Sequence, residues 1–360
     1  MAAVVEVAER IRGIVVESRG RGEARLPSER GLAERLGVSR ATVAKALAGL
    51  AREGLVVRRH GSGTYVLDRP ARTALCLGVG LRHVIHKSGP HFGVLLGALS
   101  RHAEARGVHL QIFEGLAGQF RADPVANPIS RAISSGLLDG VILISRMPMD
   151  VAGRLCEQTR VAMLNNTAGG SGVASVACDH YRAGFLAAGY LARRGHTRIA
   201  YATDSLNHPQ APANISGFRS ALECKGLPFG DEDAWVLPAN SDSFDRVFKE
   251  KLARSAHTAI FVRHDFLAAR LIRALTRAGR RVPGDVSVMG MGDYPWGFQS
   301  PVPLTTVDNR FDEMCRIAVE WFCDGWPEGQ PPQVFLDPRI VERDSVAEAC
   351  AATQEKGGQR

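Results

Sequence analysis

Apolar positions change their period at residue 74. Before it they recur at helical spacing: Val4, Val7, Ala8, Ile11, Ile14 and Val15 predict a first helix over roughly 4–18. After the turn-rich stretch RGRGEARLP, Ser28 is placed to cap a second helix that runs to Leu36 and stops at Gly37. Ser39 caps a third, in which Val43, Ala46, Leu47 and Leu50 form the buried stripe. Two short helices joined by Gly37-Val38 predict a helix-turn-helix. Two β-prone stretches, 55–57 and 64–66, flank Gly61-Ser62-Gly63. With strands on both sides and no helix opening after them, those glycines read as a hairpin tip rather than a nucleotide cradle.

From 74 onward, near-continuous apolar runs alternate with helical patterns. The runs 74–81, 108–113, 140–145, 161–166, 174–179, 198–203, 258–263 and 286–291 are strand candidates. Buried strands separated by helices predict an α/β fold of parallel sheets covered on both faces. LDRPART, 67–73, carries a proline and three charges without an apolar period. The expected division is a small helix-turn-helix domain at 1–68, a linker at 69–73, a large unit at 74–346 and a flexible tail at 347–360.

In open α/β sheets, ligands bind beyond the carboxyl ends of the strands. The residues there are Arg82-His83, Glu114, Ser145-Arg146, Asn165-Asn166, Asp179-His180, Thr203-Asp204, His264-Asp265 and Gly292-Asp293. This set suits a polar small-molecule cleft, although strand ends are polar in every α/β protein.

Charge sharpens the reading of the head. Residues 1–72 hold 14 Lys and Arg against 8 Asp and Glu, so +6 of the chain's +8 lies in its first fifth. That points to a polyanion partner. Arg40, Ala41, Thr42, Ala44 and Lys45 lie on the third helix away from its apolar stripe. Short side chains let a helix approach a groove floor, and Arg or Lys can reach guanine edges or phosphates. Double-stranded DNA is the expected partner, with Arg58 and Arg59 adding charge beside the hairpin tip.

Other classes find less support. No run of 18 apolar residues exists, and the N-terminus places Glu6 and Glu9 where a secretory signal would be basic and apolar, so the expected location is cytoplasmic. Seven scattered cysteines without a C-x-x-C argue against disulfides or a zinc knuckle. Gly290-x-Gly-Asp lacks a third glycine and opens no helix, His83-Val-Ile-His86 lacks a third ligand, and Gly170-Ser171-Gly172 is not a nucleophile elbow. No catalytic residue, metal or cofactor is expected.

Two resemblances extend this reading. LPSERGLAERLGVSRATVAKALAGLAREGLVVRRHGSGTYV resembles the GntR winged helix-turn-helix over its whole length. The resemblance implies that Arg30, Arg40 and Thr42 contact DNA, with Ser39 at the start of the recognition helix and His60-Gly61 at the wing tip. Gly31 stands where the family usually has glutamate, and Ala44 where it often has a basic residue. ACDHYRAGFLAAGYLARRGHTRIAYAT, the stretch from AIFVRHD through VPGDVSV to PLTTV, and RIVERDS are similar to LacI/GalR-type regulators.

That second resemblance covers about 74–346 and implies a two-lobed fold related to periplasmic sugar-binding proteins. Lobe one is expected at 74–195 plus 308–328 and lobe two at 196–307 plus 329–346. The chain would cross near Gly195-His196, near 304–306 and after Trp326. The combination resembles the arabinose-repressor hybrid group. It implies an effector site that includes Asp265, Asp179, Ser145, His91 and Phe92; Arg146, His180, Asn214, His264 and Asp293 are further candidates. Asn214 stands where the family often has arginine, and Gly292 where it has an aspartate. The expectation is a dimeric transcriptional repressor whose effector, a sugar or related metabolite, binds between the lobes. A solute-binding protein without a regulatory role and a dehydrogenase-like enzyme are the alternatives.

Overall fold

The computed structural model describes residues 2–20, 25–52, 55–59, 62–66, 74–83, 91–123, 127–144, 147–166, 172–238, 241–294 and 300–349. His60, Gly61, Ser145, Arg146, the linker 69–73 and the chain from 350 lie outside these. Among the described residues no helix is long and apolar enough to cross a membrane.

The head comprises α1 (Ala2–Gly20), α2 (Glu29–Leu36), α3 (Arg40–Arg52) and an antiparallel hairpin of β1 (Val56–Arg59) and β2 (Gly63–Val66). Ser28 Oγ accepts from the Gly31 amide at 3.1 Å, and Gly37 leaves α2 with φ 67°, a left-handed conformation that favours glycine. Ile11, Leu32, Val43, Leu47 and Leu50 are fully buried and hold the three helices together. The Leu26 amide donates to Thr64 O at 2.9 Å, tying the approach to α2 onto the hairpin.

The larger unit runs β3 (Cys76–Leu81), α4 (His91–Ala105), β4 (His109–Phe113), α5 (Leu116–Ala122), α6 (Pro128–Ser134), β5 (Gly140–Ile144), α7 (Met149–Cys156), β6 (Val161–Leu164) and β7 (Ala174–Cys178). It continues through α8 (His180–Arg193), β8 (Ile199–Thr203), α9 (Ala211–Glu223), β9 (Ala234–Val236), α10 (Ser241–Ala253), β10 (Ala259–Val262) and α11 (Asp265–Arg277). The last elements are β11 (Ser287–Met291), β12 (Thr305–Asp308), α12 (Phe311–Cys323), β13 (Gln333–Leu336) and β14 (Arg339–Val341). Two six-stranded sheets result, ordered β13-β7-β6-β5-β3-β4 and β14-β12-β11-β10-β8-β9. Every pairing is parallel except β12 with β14. All eight strand candidates form; seven are lined with buried apolar residues that suit a sheet sandwiched by helices, and the edge strand β4 is largely exposed.

The lobes divide differently from expectation at all three crossings. α8 packs against α9, β10 and β14, so lobe one ends near Cys178 rather than at 195. β12 pairs with β11, which moves the second crossing past Asp308. β13 pairs with β7, which keeps lobe one going to Leu336 instead of 328.

The contact of α8 with α9 explains the first shift. A Cβ added to Gly184 would lie 2.0 Å from Asn214 O, and one added to Gly217 would lie 1.9 Å from Tyr181 O. Glycine at both places lets the two backbones touch. Below them Tyr201, Phe218 and Phe261 pack with ring centroids 5.5–5.8 Å apart, within the range of favourable aromatic pairs.

Alanine in place of a mid-helix glycine ordinarily stabilises by up to about 1 kcal/mol. Gly217→Ala is expected to reverse that sign, because the methyl group meets a fixed carbonyl; overpacking of this kind costs about 1–3 kcal/mol. Thermal denaturation of the full chain checks it, and a raised Tm would contradict the contact.

Candidate functional sites

On the head, α3 presents its N-terminal end to solvent. Arg40, Ala41 and Lys45 are exposed and Thr42 is half-buried. Ser39 serves the helix itself: its Oγ accepts from the Thr42 amide at 3.1 Å and lies 2.8 Å from Thr42 Oγ1. Both hydroxyls are thus held at the helix start, where N–H groups and the helix dipole favour an anion. Arg30 pairs with Glu34 at 3.0 Å, and Arg58 pairs with Glu29.

The hairpin is braced from within. The Arg59 guanidinium lies 4.9 Å from the centroid of Tyr65, whose hydroxyl is 2.6 Å from Ser62 Oγ. Arg25, which sequence reasoning passed over in the turn-rich stretch, also lies near this ring, 6.0 Å from the Tyr65 centroid. Its Nε would stand 3.0 Å from a Cβ at Gly63, where φ is 116°. The only signal for it was a cation two residues before Pro27.

In the larger unit, a polar cluster gathers where the two lobes meet. Asn165 follows β6 of lobe one with φ 54°, and Gln210 immediately precedes α9 of lobe two. Gln210 Nε2 donates to Asn165 O at 2.7 Å, a hydrogen bond from one lobe to the other.

Beyond β10 lies Arg263, almost buried, with Nε donating to Thr203 Oγ1 and Nη2 to Asp204 Oδ1, both at 2.9 Å. His264 Nε2 stands 3.4 Å from Asp204 Oδ2. Burial pushes the Asp204 carboxyl up, but His264 and Arg263 outweigh it and hold the group well below the usual carboxylate range. His180 opens α8, and its Nε2 is buried without a hydrogen-bond partner among the described residues. Burial, with the charge of Arg263 and of His208, lowers its pKa to about 3, so the ring is neutral at physiological pH.

The remaining candidates fall into three groups. Asp179, His264 and Asp293 edge the cluster: the first two cap α8 and α11, and Asp293 accepts from Arg343 Nη2 at 2.7 Å. Phe92, Asn214 and Asp265 face inward instead. Phe92 is buried in the large apolar core of the body. Asn214 is fully buried; its Nδ2 donates to His180 O at 3.0 Å and its Oδ1 accepts from Tyr201 Oη at 3.0 Å. Asp265 is fully buried and accepts from the Tyr294 amide at 2.8 Å and from Thr306 Oγ1 at 2.6 Å. The polar groups of Asn214 and Asp265 make internal bonds in this structure. Ser145, Arg146 and the His91 side chain lie outside the described residues. Sequence reasoning missed Arg263 because it closes an apolar strand run, and Gln210 because it precedes a helix.

Residues 3–66 match the family described as bacterial regulatory proteins, gntR family, and residues 188–346 match the periplasmic binding protein-like domain. The HTH-type transcriptional regulator AscG of Escherichia coli K12 is 26% identical over 344 residues, 88% of this chain and 97% of that protein. The arabinose metabolism transcriptional repressor of Geobacillus stearothermophilus is 24% identical, covering 96% of this chain and 97% of its own length. The ribose operon repressor of E. coli K12 is 31% identical over 167 residues, 45% of this chain and half of that repressor. Among solved structures, a LacI family regulator from Enterococcus faecium with bound ribose superposes with TM-score 0.62 at 22% identity, covering 76% of this chain and 100% of its own. The E. coli repressor ascG gives 0.61 at 23%, covering 76% and 99%. These likenesses show the fold.

Burial raises the Asp265 carboxyl to about 6, against the hydrogen bonds from Thr306 and Tyr294 that lower it. Between roughly pH 4 and 6 the unfolded chain therefore releases a proton that the folded chain keeps. Stability from this group is full below about pH 4 and falls by about 1.4 kcal/mol per unit as pH rises towards 6. Urea denaturation of wild type and Asp265→Asn across that range is expected to show the wild-type advantage shrinking with pH; a constant difference would contradict it.

Proposed function

We propose that this chain, which joins a GntR-type winged helix-turn-helix to a periplasmic binding protein-like body, is a transcriptional repressor controlled by a small polar effector. The observation that carries the reading is the exposed N-terminal end of α3, where Arg40, Ala41 and Lys45 stand clear of the head's core beside a hairpin that ends in Arg58 and Arg59. In this reading α3 enters the major groove, Arg40 and Thr42 reach base edges or the backbone, and the hairpin tip with His60 and Gly61 lies along the neighbouring groove. Arg30, Lys45, Arg58 and Arg59 supply phosphate contacts, and Ser39 fixes the helix start.

The effector, a sugar or related metabolite, binds between the lobes, at the cluster edged by Asp179, His180, His264 and Asp293. The sugar named in the ribose-bound relative supports that class. The chain acts as a regulator in the cytoplasm, not as an enzyme. Two copies associate through their bodies to place two heads on a partly palindromic operator. Exposed Ile112 on the edge strand β4 and Val236 on the edge strand β9 support contact along the bodies.

The test is binding to DNA upstream of the chain's own coding region, measured at several salt concentrations. Specific binding that weakens steeply with salt is expected, and an intact protein without sequence preference would refute the reading. Within that assay, Arg40→Ala is expected to reduce operator affinity about 5- to 150-fold, or roughly 1–3 kcal/mol, while leaving the Tm unchanged. Full affinity in the variant would remove Arg40 from the contacts.

A further inference from the structure

Arg263 is clamped along only one edge. A guanidinium carries five N–H groups; here Nε and one proton of Nη2 serve Thr203 Oγ1 and Asp204 Oδ1. Both protons of Nη1 and the second of Nη2 make no hydrogen bond to any described residue, and one proton of each nitrogen points along the open outer edge of the guanidinium. The clamp fixes the direction of that edge, since the side chain is 9% exposed and packed at the end of β10. The unpartnered Nε2 of His180 belongs to the same neighbourhood; the charge of Arg263 is felt by the imidazole strongly enough to help keep it neutral.

A hydroxyl group would satisfy one of these donors. A carboxylate matches the open guanidinium edge with two parallel N–H···O bonds, the geometry in which arginine binds planar anions best. A neutral imidazole with its proton on Nε2 adds a third donor without another charge. Asp204 offsets the arginine's charge from the opposite edge, so discrimination comes from donor geometry more than from net charge. Asp204 and His264, both more exposed than Arg263, remain available to ligand hydroxyls.

We propose that Arg263 and His180 form an anion subsite in the inter-lobe cleft, and that the effector is a carboxylate-bearing polyol, a sugar acid. This rests on the reading of the cleft as the effector site. It also accounts for Asn214: the cation absent from α9 is supplied from the end of β10.

The test is calorimetric titration of the full chain with D-gluconate, D-galacturonate, D-glucuronate and L-arabinonate, against D-glucose, D-galactose, L-arabinose and glucose 6-phosphate. At least one acid is expected to bind ten times or more tighter than its neutral counterpart. Arg263→Gln is expected to lose at least tenfold of that affinity, and Arg263→Lys, which keeps the charge without the fork, to lose an intermediate amount and to control for folding. Equal binding of acid and neutral sugar, preference for the phosphate, no binding by any probe, or unchanged acid affinity in Arg263→Gln would each overturn the proposal. Operator affinity measured with the same probes separates the two levels. A neutral sugar that changes operator binding, with the change lost in Asp204→Asn, would discard the carboxylate and leave the cleft as the effector site.

Discussion

The backbone contact between α8 and α9 determines where the lobes end and how the cleft is furnished. Gly184 and Gly217 remove the side chains that would keep the helices apart, and Asn214 then reaches the His180 carbonyl from within the contact. His180 is also the second residue after β7, so the chain is seized by lobe two almost as soon as it leaves lobe one. The first turn of α8, the end of β8 and the end of β10 thereby become one rigid polar surface. Lobe one meets lobe two through three short connections and, among the described residues, the Asn165–Gln210 hydrogen bond and the stacked rings of Tyr294 and Phe311. A two-lobed body of this kind can hinge without disturbing the groups on its stiffer half.

Much of this was legible in the sequence, for identifiable reasons. Seven buried strands were visible because their apolar runs are near-continuous, and the edge strand β4 because its run VHLQIF sits between helical patterns. The caps at Ser28 and Ser39 were visible because their side chains act within three residues. Edge strands β9 and β13 were missed: each is three or four residues long and half-exposed, and its pairing is decided by distant partners. The crossings were misplaced for the same reason. An amphipathic helix such as α8 declares that it has a buried face, but nothing in its period says which sheet will cover that face.

The cleft shows the limit more sharply. Read along the chain, Asn214 signals a lost cation and Gly292 a lost carboxylate. In three dimensions a cation and a carboxylate stand together in Arg263 and Asp204, from two neighbouring strands. Gly292, with φ 127°, makes room for the Tyr294 ring, which a Cβ would meet at 2.2 Å. Asp265 has the residue type of a ligand contact but holds together the ends of β11 and β12 through Tyr294 and Thr306. A carboxylate's role follows from which donors reach it, and those donors lie 29 and 41 residues away.

The energetics of closure set what an effector must do. One neutral amide hydrogen bond, such as Asn165–Gln210, contributes about 0.5–1.5 kcal/mol net. Moving a two-state body from one part in a hundred closed to ninety-nine takes about 5.5 kcal/mol of differential binding. The bond between the lobes biases that equilibrium but cannot command it. The difference must come from contacts made only when both lobes enclose the ligand, and hydrogen bonds to charged groups, at about 1.5–3 kcal/mol each, are the strongest available. About two to four of them suffice. An arginine held in place before the ligand arrives, its side-chain entropy already spent, anchors the ligand on lobe two, so that the groups lobe one brings up on closure supply the difference.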